Sequence, residues 1–307
     1  MTQVFERVAL IGLGLIGSSI AHAARRGGLA GEIVGYARSA QTRETAARLG
    51  IVDRVEDSAP GAVAGADCVI LCIPVGAIGA VTAEIADALA PGAILSDVGS
   101  VKASVIAQAQ PHLRADVQLI PAHPVAGTEQ SGPESGFAEL FDRRWCILTP
   151  LPENDPEAVA KLRRFWEGLG SMVDTMDAAH HDRVLAVTSH VPHLIAYSIV
   201  GTASDLETVA ESEVVKYSAS GFRDFTRIAA SDPTMWRDVF LHNKEATLEV
   251  LGRVTEDLFA LQRAIRWGDG DALFERFTET RAIRRGIVEA GQDTASPNFG
   301  REKPPQK

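Results

Sequence analysis

A glycine-rich loop directly after the first strand-like run is the feature that most constrains how this chain folds. The stretch Val8-Ala-Leu-Ile-Gly12-Leu-Gly14-Leu-Ile-Gly17 has the spacing G-x-G-x-x-G and leads into an alanine-rich helical segment. In this pattern the first glycine permits a tight turn, the second lets the backbone approach a pyrophosphate, and the third lets the helix pack on the strand. Helix N–H groups would then meet the pyrophosphate. We therefore expect a dinucleotide site lined by Gly12, Leu13, Gly14, Leu15, Ile16 and Gly17.

Apolar runs alternate with helical segments throughout the first half of the chain. We expect strands at Val8–Ile11, Ile33–Tyr36, Cys68–Ile73, Ala93–Asp97, Val117–Pro121 and Cys146–Thr149. We expect helices at Ile16–Arg26, Gln41–Leu49 and Ile78–Leu89. Such alternation is typical of parallel strands with helices on both faces of the sheet. The fold class that follows is an α/β, Rossmann-like N-terminal domain.

The second half of the chain has a different pattern. Prolines punctuate Thr149–Pro156, after which one more helix, Pro156–Leu169, and one more strand, Met172–Thr175, are expected. Beyond about residue 177 the strand signals vanish and helical patterns dominate. We therefore predict a dinucleotide-binding domain over residues 1–176, a helical domain over residues 177–293 and a disordered tail over residues 294–307.

One predicted helix is unusually long. It begins at Asp232-Pro233, where the aspartate can cap the helix and the proline suits its first position. Without an internal proline it could continue to Trp267, which is about 35 residues or roughly 50 Å. A helix of that length favours packing against a second subunit. The alternative is a break near Gly252 that keeps the helix within one subunit.

Charge, cysteines and hydropathy exclude several classes of partner. The formal net charge is −10, and no basic face compensates for it, which argues against a nucleic-acid partner. The three cysteines form no metal-ligand pattern and fit a reducing cytoplasm. We see no signal sequence and no stretch long enough to cross a bilayer, so we expect a cytoplasmic protein without a membrane partner.

The end of the second strand bears on which dinucleotide is bound. An acidic residue usually stands there to accept the ribose hydroxyls, but this chain has Ala37, followed by Arg38 and Ser39. These two residues could hold a 2′-phosphate, so NADP is favoured. NAD stays possible, with Arg38 stacking on the adenine. We also assign Ile73 and Pro74 to the cofactor site.

Two stretches follow later strands and should border the reacting end of the cofactor. Asp97-Val-Gly-Ser100-Val-Lys102 follows one strand, and His123 follows the next. Ligands of open parallel sheets lie beyond the carboxyl ends of the strands. A single loop histidine is more often structural than catalytic. Its position beside a cofactor that performs hydride chemistry favours a functional role for His123.

Five motifs occur together and in one order: the GLGLIGSS loop, DVGSVK, HPVAGTEQSG, the segment Thr188–His193 and the stretch Gly221–Trp236. In these motifs the chain resembles the prephenate/arogenate (cyclohexadienyl) dehydrogenase family of tyrosine biosynthesis over residues 6–290. The resemblance implies a Rossmann domain followed by an all-α dimerisation domain like the C-terminal domain of 6-phosphogluconate dehydrogenase, and a homodimer. It implies oxidative decarboxylation of prephenate to 4-hydroxyphenylpyruvate with reduction of NAD(P)+. The alternative is an arogenate or dual-specificity enzyme that makes tyrosine directly.

The resemblance also implies residue roles. His123 would accept the proton of the substrate's ring 4-hydroxyl, a role that suits a neutral imidazole. Ser100 would hydrogen-bond in the same region and count with His123 as catalytic. A cyclohexadienyl substrate is anionic, and Arg227 would bind one carboxylate as a planar fork. The substrate-binding residues expected are Arg227, His190, His193, Arg223, Glu129, Gln130 and Trp236.

Some of these roles have plain structural alternatives. Arg223 and Glu129 could form a gate, or Arg223 could be an ordinary surface charge. His190 and His193 could serve in helix packing and capping, and Trp236 could be a core residue.

Three other functions compete with this assignment. A metal-dependent dehydrogenase could use His180, His181, His190 and His193, but no cysteine or HExxH pattern completes a site, and no metal is expected. A hydroxyacid or imine dehydrogenase leaves the HPVAGTE stretch unexplained. A non-catalytic redox-sensing module would not need His123, Ser100 and Arg227 together.

Overall fold

The structure is a computed structural model that describes residues 2–128, 130–205 and 220–289. The chain divides into two compact units, residues 1–248 and residues 249–307. Two predicted features, Glu129 and the tail 294–307, lie outside the described residues.

The first unit is built around a six-stranded parallel sheet with the strand order β3-β2-β1-β4-β5-β6. The strands are β1 (Phe5–Ile11), β2 (Ala30–Tyr36), β3 (Arg54–Val55), β4 (Cys68–Leu71), β5 (Ile94–Asp97) and β6 (Gln118–Leu119). This is the doubly wound order, in which the crevice for a ligand opens between β1 and β4. The predicted fold class is confirmed. The short β3 was not predicted, because two residues carry no recognisable alternation.

Helices cover both faces of this sheet. They are α1 (Leu15–Gly27), α2 (Ala40–Leu49), α3 (Ala59–Val63), α4 (Ile78–Ile85) and α5 (Ala103–Ala109). Most of α1 is buried because its small residues allow close packing on β1, and it ends at Gly28, whose φ of 59° is left-handed. The first turn of α1 therefore has a fixed position at the carboxyl end of β1.

A separate three-stranded sheet follows the parallel one. It consists of β7 (Ala122–Pro124), β8 (Trp145–Leu148) and β9 (Met172–Thr175), with β7 antiparallel and β9 parallel to β8. The prediction of parallel pairing throughout is therefore wrong here. Pro121 has no N–H to donate, so pairing with β5 stops at Ile120 and the chain joins β8 instead. His123 thus lies inside a short strand, opposite Ile147, and not in a loop after one.

The rest of the first unit is mainly helical. It contains α6 (Pro156–Gly168), α7 (Ala178–Leu185), a single π-helical turn (Ala186–His190), α8 (Val191–Asp205), α9 (Ser220–Thr226), a 3-10 turn (Arg227–Ala230) and α10 (Pro233–His242). Asp232 caps α10 by accepting a hydrogen bond from the backbone N of Met235 at 2.8 Å, as the sequence predicted.

The predicted long helix is interrupted. It ends at His242 and restarts as α11 (Lys244–Trp267), so the single helix predicted from Asp232 to Trp267 is wrong, and the break does not fall at Gly252. Asn243, at the break, is only 5% exposed and has φ −114° and ψ 42°. Its side chain bonds to groups outside the helix, which is how asparagine competes with helical geometry.

The second unit contains the remainder of α11 and the helix α12 (Gly270–Ile287), which Asp269 caps. Many large apolar side chains of this unit are exposed in the single chain: Leu258, Phe259, Ile265, Trp267, Phe274, Phe277 and Ile283. So much exposed apolar surface is typical of a surface that another protein covers.

One helical segment is longer and more apolar than the sequence led us to expect. The run Ala178–Asp205 is long and apolar enough to cross a membrane by length and composition, with mean hydropathy 1.4 over a window that is 28% buried. The expectation that no stretch is long enough was wrong. The same run carries His181, Asp182 and His190, which are buried and hydrogen-bonded inside the first unit, so the part of the run that holds them packs within the protein.

Candidate active site

The glycine loop has the geometry of a pyrophosphate cradle. Gly12 has φ 106°, and a Cβ there would collide with the carbonyl oxygen of Cys72. A Cβ at Gly17 would collide with the carbonyl oxygen of Gly12, whereas a Cβ at Gly14 would meet nothing within 4 Å. The outer glycines are therefore required by packing and the middle one faces open space. No side chain caps α1 at Gly14, so its first N–H groups are available to a phosphate.

The loop after β2 has cationic groups where an acidic residue is usual. Ala37 is buried, and the exposed Arg38 side chain makes no hydrogen bond or ion pair within the described residues. Arg43 is already engaged, donating to the carbonyl oxygens of Ala37 at 2.8 Å and Arg38 at 3.1 Å. Ser39 caps α2 through Thr42. Arg38 is thus the cation at this end that can still bind a phosphate.

A chain of three side chains stands behind the predicted base. His123 is 6% exposed, and its Nδ1 lies 2.9 Å from Nε2 of His181. Nδ1 of His181 lies 2.8 Å from Oδ1 of Asp182. The carboxylate of Asp182 also accepts hydrogen bonds from the backbone N atoms of Lys102 at 2.8 Å and Ala103 at 3.0 Å. The start of α5 therefore fixes the carboxylate, which in turn fixes both imidazoles.

Hydrogen-bond polarity along this chain determines which nitrogen of His123 is basic. A carboxylate only accepts, so His181 carries its proton on Nδ1, and its Nε2 accepts in turn. His123 must then donate from Nδ1, which leaves the lone pair on its Nε2. That atom has no hydrogen-bond partner in the described part of the chain and is not among its fully buried polar atoms, so it reaches solvent. Burial, with the nearby His181 and Lys102, lowers the pKa of His123 well below its usual range, so the imidazole stays neutral at pH 7.

A buried ion pair holds the backbone that carries this base. Lys102 Nζ donates to Oδ2 of Asp97 and, at 2.7 Å, to the carbonyl oxygen of Ala122. Oδ1 of Asp97 accepts from the backbone N of Ala122 at 3.3 Å. Burial raises the pKa of Asp97 and lowers that of Lys102, and their mutual attraction opposes both shifts. The backbone N–H and the carbonyl oxygen of Ala122, the residue before His123, are therefore both held by hydrogen bonds.

His190 is fully buried in the π-helical turn, a geometry often found at functional sites. Its Nδ1 lies 3.0 Å from Nδ2 of Asn243. Burial lowers the pKa of His190 to about 4, with the backbone of Ser100 and the Asp182 carboxylate opposing that shift. Nε2 of His190 is buried and has no hydrogen bond of good geometry within the described residues. Ser100 and His190 are thus brought close together.

His193 and Trp236 form a stacked pair. Their ring centroids are 3.7 Å apart at an interplanar angle of 25°, and His193 donates from Nδ1 to the carbonyl oxygen of Ser189 at 2.8 Å. Burial lowers the pKa of His193, and the positive charge of Arg227 lowers it further, so the Arg227 guanidinium lies near a neutral imidazole. Trp236 Nε1 is buried and has no partner among the residues described.

The remaining predicted residues are more dispersed. Ile73 packs beside Gly12, and the exposed Pro74 follows it. Gln130 is exposed, and its backbone N donates to the Thr128 hydroxyl at 3.2 Å. Arg223 is 73% exposed in its side chain and lies 3.8 Å from Asp224. A gate between Arg223 and Glu129 cannot be described, because Glu129 lies outside the described residues.

Sequence reasoning missed three contributors, Asp182, Lys102 and Asn243, and assigned His181 only to a metal site. The described residues contain no group of three or more His, Cys, Asp or Glu residues suited to a metal ion. The available signal was the run His180-His181-Asp182 at the start of a helix that Asp177 caps. Consecutive titratable residues on an otherwise apolar helix are candidates for a functional site.

Known proteins resemble this chain in sequence and in fold. The nucleotide-binding domain of prephenate dehydrogenase matches residues 20–175, and the prephenate dehydrogenase dimerization domain matches residues 177–279. The cyclohexadienyl dehydrogenase of Zymomonas mobilis is 44% identical over 284 residues, 92% of this chain and 97% of that protein. The prephenate dehydrogenase of Bacillus subtilis is 33% identical over 288 residues, 94% of this chain and 77% of that protein. The structure of Aquifex aeolicus prephenate dehydrogenase with hydroxyphenyl propionate and NAD+ has a TM-score of 0.84 at 33% identity, covering 92% of this chain and 98% of that one.

Proposed function

This chain belongs to the prephenate dehydrogenase family, and from that premise we propose that it converts prephenate to 4-hydroxyphenylpyruvate and CO2 with reduction of NAD(P)+. Membership of the family makes the chain an NAD(P)-dependent oxidoreductase. The observation that carries the proposal is the solvent-reaching Nε2 lone pair of His123. The preceding residue, Ala122, bonds through its backbone N to Asp97 at the carboxyl end of β5, the edge of the parallel sheet where the glycine loop follows β1. A neutral imidazole at that edge suits an alcohol that must lose a proton as it is oxidised.

The reaction needs little beyond orientation and one proton acceptor. The bound nicotinamide supplies the acceptor for the hydride that leaves C4 of the substrate ring. As that hydride leaves, the proton of the 4-hydroxyl moves to Nε2 of His123. Cleavage of the bond to the ring carboxylate returns an electron pair to the ring and releases CO2, and the phenolic oxygen regains its proton. Aromatisation makes the sequence favourable.

The relay behind His123 supports the proton transfer. When Nε2 takes the proton, the imidazolium that forms is stabilised through His181 by the Asp182 carboxylate. Ser100 contributes at the nicotinamide end, near His190. We keep both His123 and Ser100 as the proposed catalytic residues.

Substrate binding is assigned to the cationic side of the site. Arg227 binds a carboxylate, and the stacked His193 and Trp236 form a wall beside it. His190 completes this group through its buried Nε2. Arg223, Gln130 and Glu129 are assigned to the periphery of the substrate site.

NADP+ is the preferred cofactor in this proposal. Support comes from Ala37 in place of an acidic residue and from the exposed, unengaged Arg38 beside it. NAD+ stays possible, and the Aquifex relative was solved with NAD+.

Arogenate is a second candidate substrate, for two reasons. The relative that is 44% identical carries the name cyclohexadienyl dehydrogenase, a wider description than prephenate dehydrogenase. His193, which donates from Nδ1, offers an accepting Nε2 that an amino group could use. A dual-specificity enzyme that makes tyrosine directly is thus the alternative.

A homodimer with domains at residues 1–176 and 177–293 is part of the same proposal. Its support is the match to a dimerization domain and the exposed apolar side chains of α11 and α12. A cytoplasmic location remains our prediction, in keeping with three free cysteines.

A two-by-two assay tests the proposal: prephenate or arogenate with NAD+ or NADP+, following reduced nicotinamide and CO2. We expect turnover of prephenate, with the lower KM for NADP+. If only arogenate were turned over, the substrate would be arogenate and not prephenate. No turnover of either compound would refute the proposed reaction.

A further inference from the structure

Asn243 occupies a position that neither the proposed reaction nor the motifs explain. It interrupts the helical run between α10 and α11 and is almost fully buried. Its Nδ2 donates to the carbonyl oxygen of Asp182 at 2.8 Å and lies 3.0 Å from Nδ1 of His190. The break in the helix therefore places one amide between the two segments that carry the active-site histidines.

The orientation of this amide follows from its partners. The carbonyl oxygen of Asp182 can only accept, so the amide nitrogen of Asn243, and not its oxygen, must face it. The same nitrogen then faces His190, which must accept at Nδ1. A neutral imidazole that accepts at Nδ1 carries its proton on Nε2.

We propose that Asn243 is a positioning residue that holds His190 as the Nε2–H tautomer, the opposite of the tautomer of His123. Asp182 is the anchor for both: its carboxylate acts on His123 through His181, and its backbone carbonyl acts on His190 through Asn243. One histidine thus presents a lone pair and the other presents a donor. The kinetic part of this inference rests on the proposed function, but the tautomer itself does not.

The donor on His190 has a chemical consequence for what the site binds. Its Nε2–H and the Nε1–H of Trp236 are both buried and make no hydrogen bond of good geometry among the described residues, with the backbone of Ser100 near His190, and the two rings are 6.1 Å apart. Buried donors without acceptors are costly. Two of them close together fit an oxygen acceptor of a ligand, a carboxylate or a keto oxygen, and do not fit an ammonium group.

The tautomer can be measured without turnover, by long-range 1H–15N NMR of the full-length protein labelled with 15N-histidine, with a His190→Gln sample to assign the signal. At pH 7.5 we expect His190 to carry its proton on Nε2. A proton on Nδ1 of His190 would overturn the inference, whatever the enzyme assays show.

Asn243→Asp adds a kinetic test with a distinctive pH profile. The aspartate accepts from Nδ1 of His190, so the neutral imidazole loses its Nε2 proton, while the protonated imidazole has it again. We expect kcat/KM for prephenate to fall about tenfold at pH 8 and to recover partly as the pH is lowered. Loss of activity that is equal at every pH would contradict the inference.

Two further variants separate loss of the Asn243 hydrogen bonds from a general loss of structure. Asn243→Leu removes both hydrogen bonds without adding a charge and should raise KM for prephenate at all pH values, with a mixture of His190 tautomers. Thr247→Val is the matched control one turn later on α11, because Thr247 is buried and its hydroxyl has no partner in the described chain. It should keep the native tautomer and the native pH profile. A native tautomer in Asn243→Leu would also overturn the inference.

Discussion

Nδ1 of His123 lies 2.9 Å from Nε2 of His181, and this contact turns two imidazoles from different elements into one proton-handling unit. The carboxylate of Asp182 sets its polarity, since a group that only accepts forces each histidine in turn to donate from Nδ1. The lone pair that results, on Nε2 of His123, is the feature on which the proposed chemistry depends.

Asp182→Asn should disturb that polarity. An amide can donate to His181, which would reverse the hydrogen bonds along the relay and place the proton of His123 on the wrong nitrogen. We expect kcat to fall by roughly 10- to 100-fold, a part of what a general base contributes, with little change in the Kd of NADP+. Asp177→Asn is the control, because Asp177 caps the same helix and an asparagine caps equally well. Equal losses in the two variants would remove the special role of Asp182.

Acid should destabilise the protein in a range set by its buried histidines. Burial lowers the pKa of His123 and His181 and brings that of His190 to about 4. The unfolded chain protonates these groups near pH 6.5, so it binds more protons than the folded chain at lower pH, and the free energy of unfolding must fall as the pH drops below about 6.5.

Urea unfolding at pH 7.5, 6 and 5 measures this effect. Relative to the native chain, His190→Gln should weaken the pH dependence between pH 6.5 and 5, whereas His180→Gln, at an exposed position, should leave it unchanged. A free energy of unfolding that is constant over this range would show that the histidines are not held neutral by folding.

Arg38→Leu tests the cofactor assignment. A guanidinium that binds a 2′-phosphate makes charge-assisted hydrogen bonds, so we expect KM for NADP+ to rise roughly 10- to 100-fold while KM for NAD+ stays within about twofold. Arg48→Leu is the control on the helix that follows, α2, since Arg48 pairs with Glu134. If KM rose equally for both cofactors, Arg38 would bind the part that the two dinucleotides share.

Arg227→Ala should act mainly on substrate binding. Losing a carboxylate contact that is present in both the ground state and the transition state raises KM and leaves kcat nearly unchanged. We expect at least a tenfold increase in KM for prephenate, from the loss of a charged hydrogen bond. Arg223→Ala, four residues earlier and mostly exposed, should change KM much less. An unchanged KM in Arg227→Ala would refute its role.

Features with a local cause were predictable from the sequence. The glycine loop, the cap at Asp232 and the strand Met172–Thr175 depend on residues a few positions apart, and the structure has them where they were expected. The parallel pairing of β1, β2, β4, β5 and β6 was also expected, because alternating strands and helices are typical of a parallel sheet.

Features that depend on distant residues were not predictable. The His123–His181 contact joins positions 58 residues apart. The helix breaks at Asn243, whose side chain bonds to Asp182 and His190. The hydrophobic periodicity of the sequence carries no signal for such hydrogen bonds. The antiparallel pairing of β7 depends in the same way on β8, more than twenty residues later in the chain.

The most direct test of the account is kcat of His123→Asn with prephenate and NADP+, together with the Kd of NADP+ measured by fluorescence. The account predicts a loss of at least ~10²-fold in kcat, the usual contribution of a general base, with Kd within about twofold of the native value. A variant that binds NADP+ normally and retains near-native kcat would contradict the claim that Nε2 of His123 takes the proton.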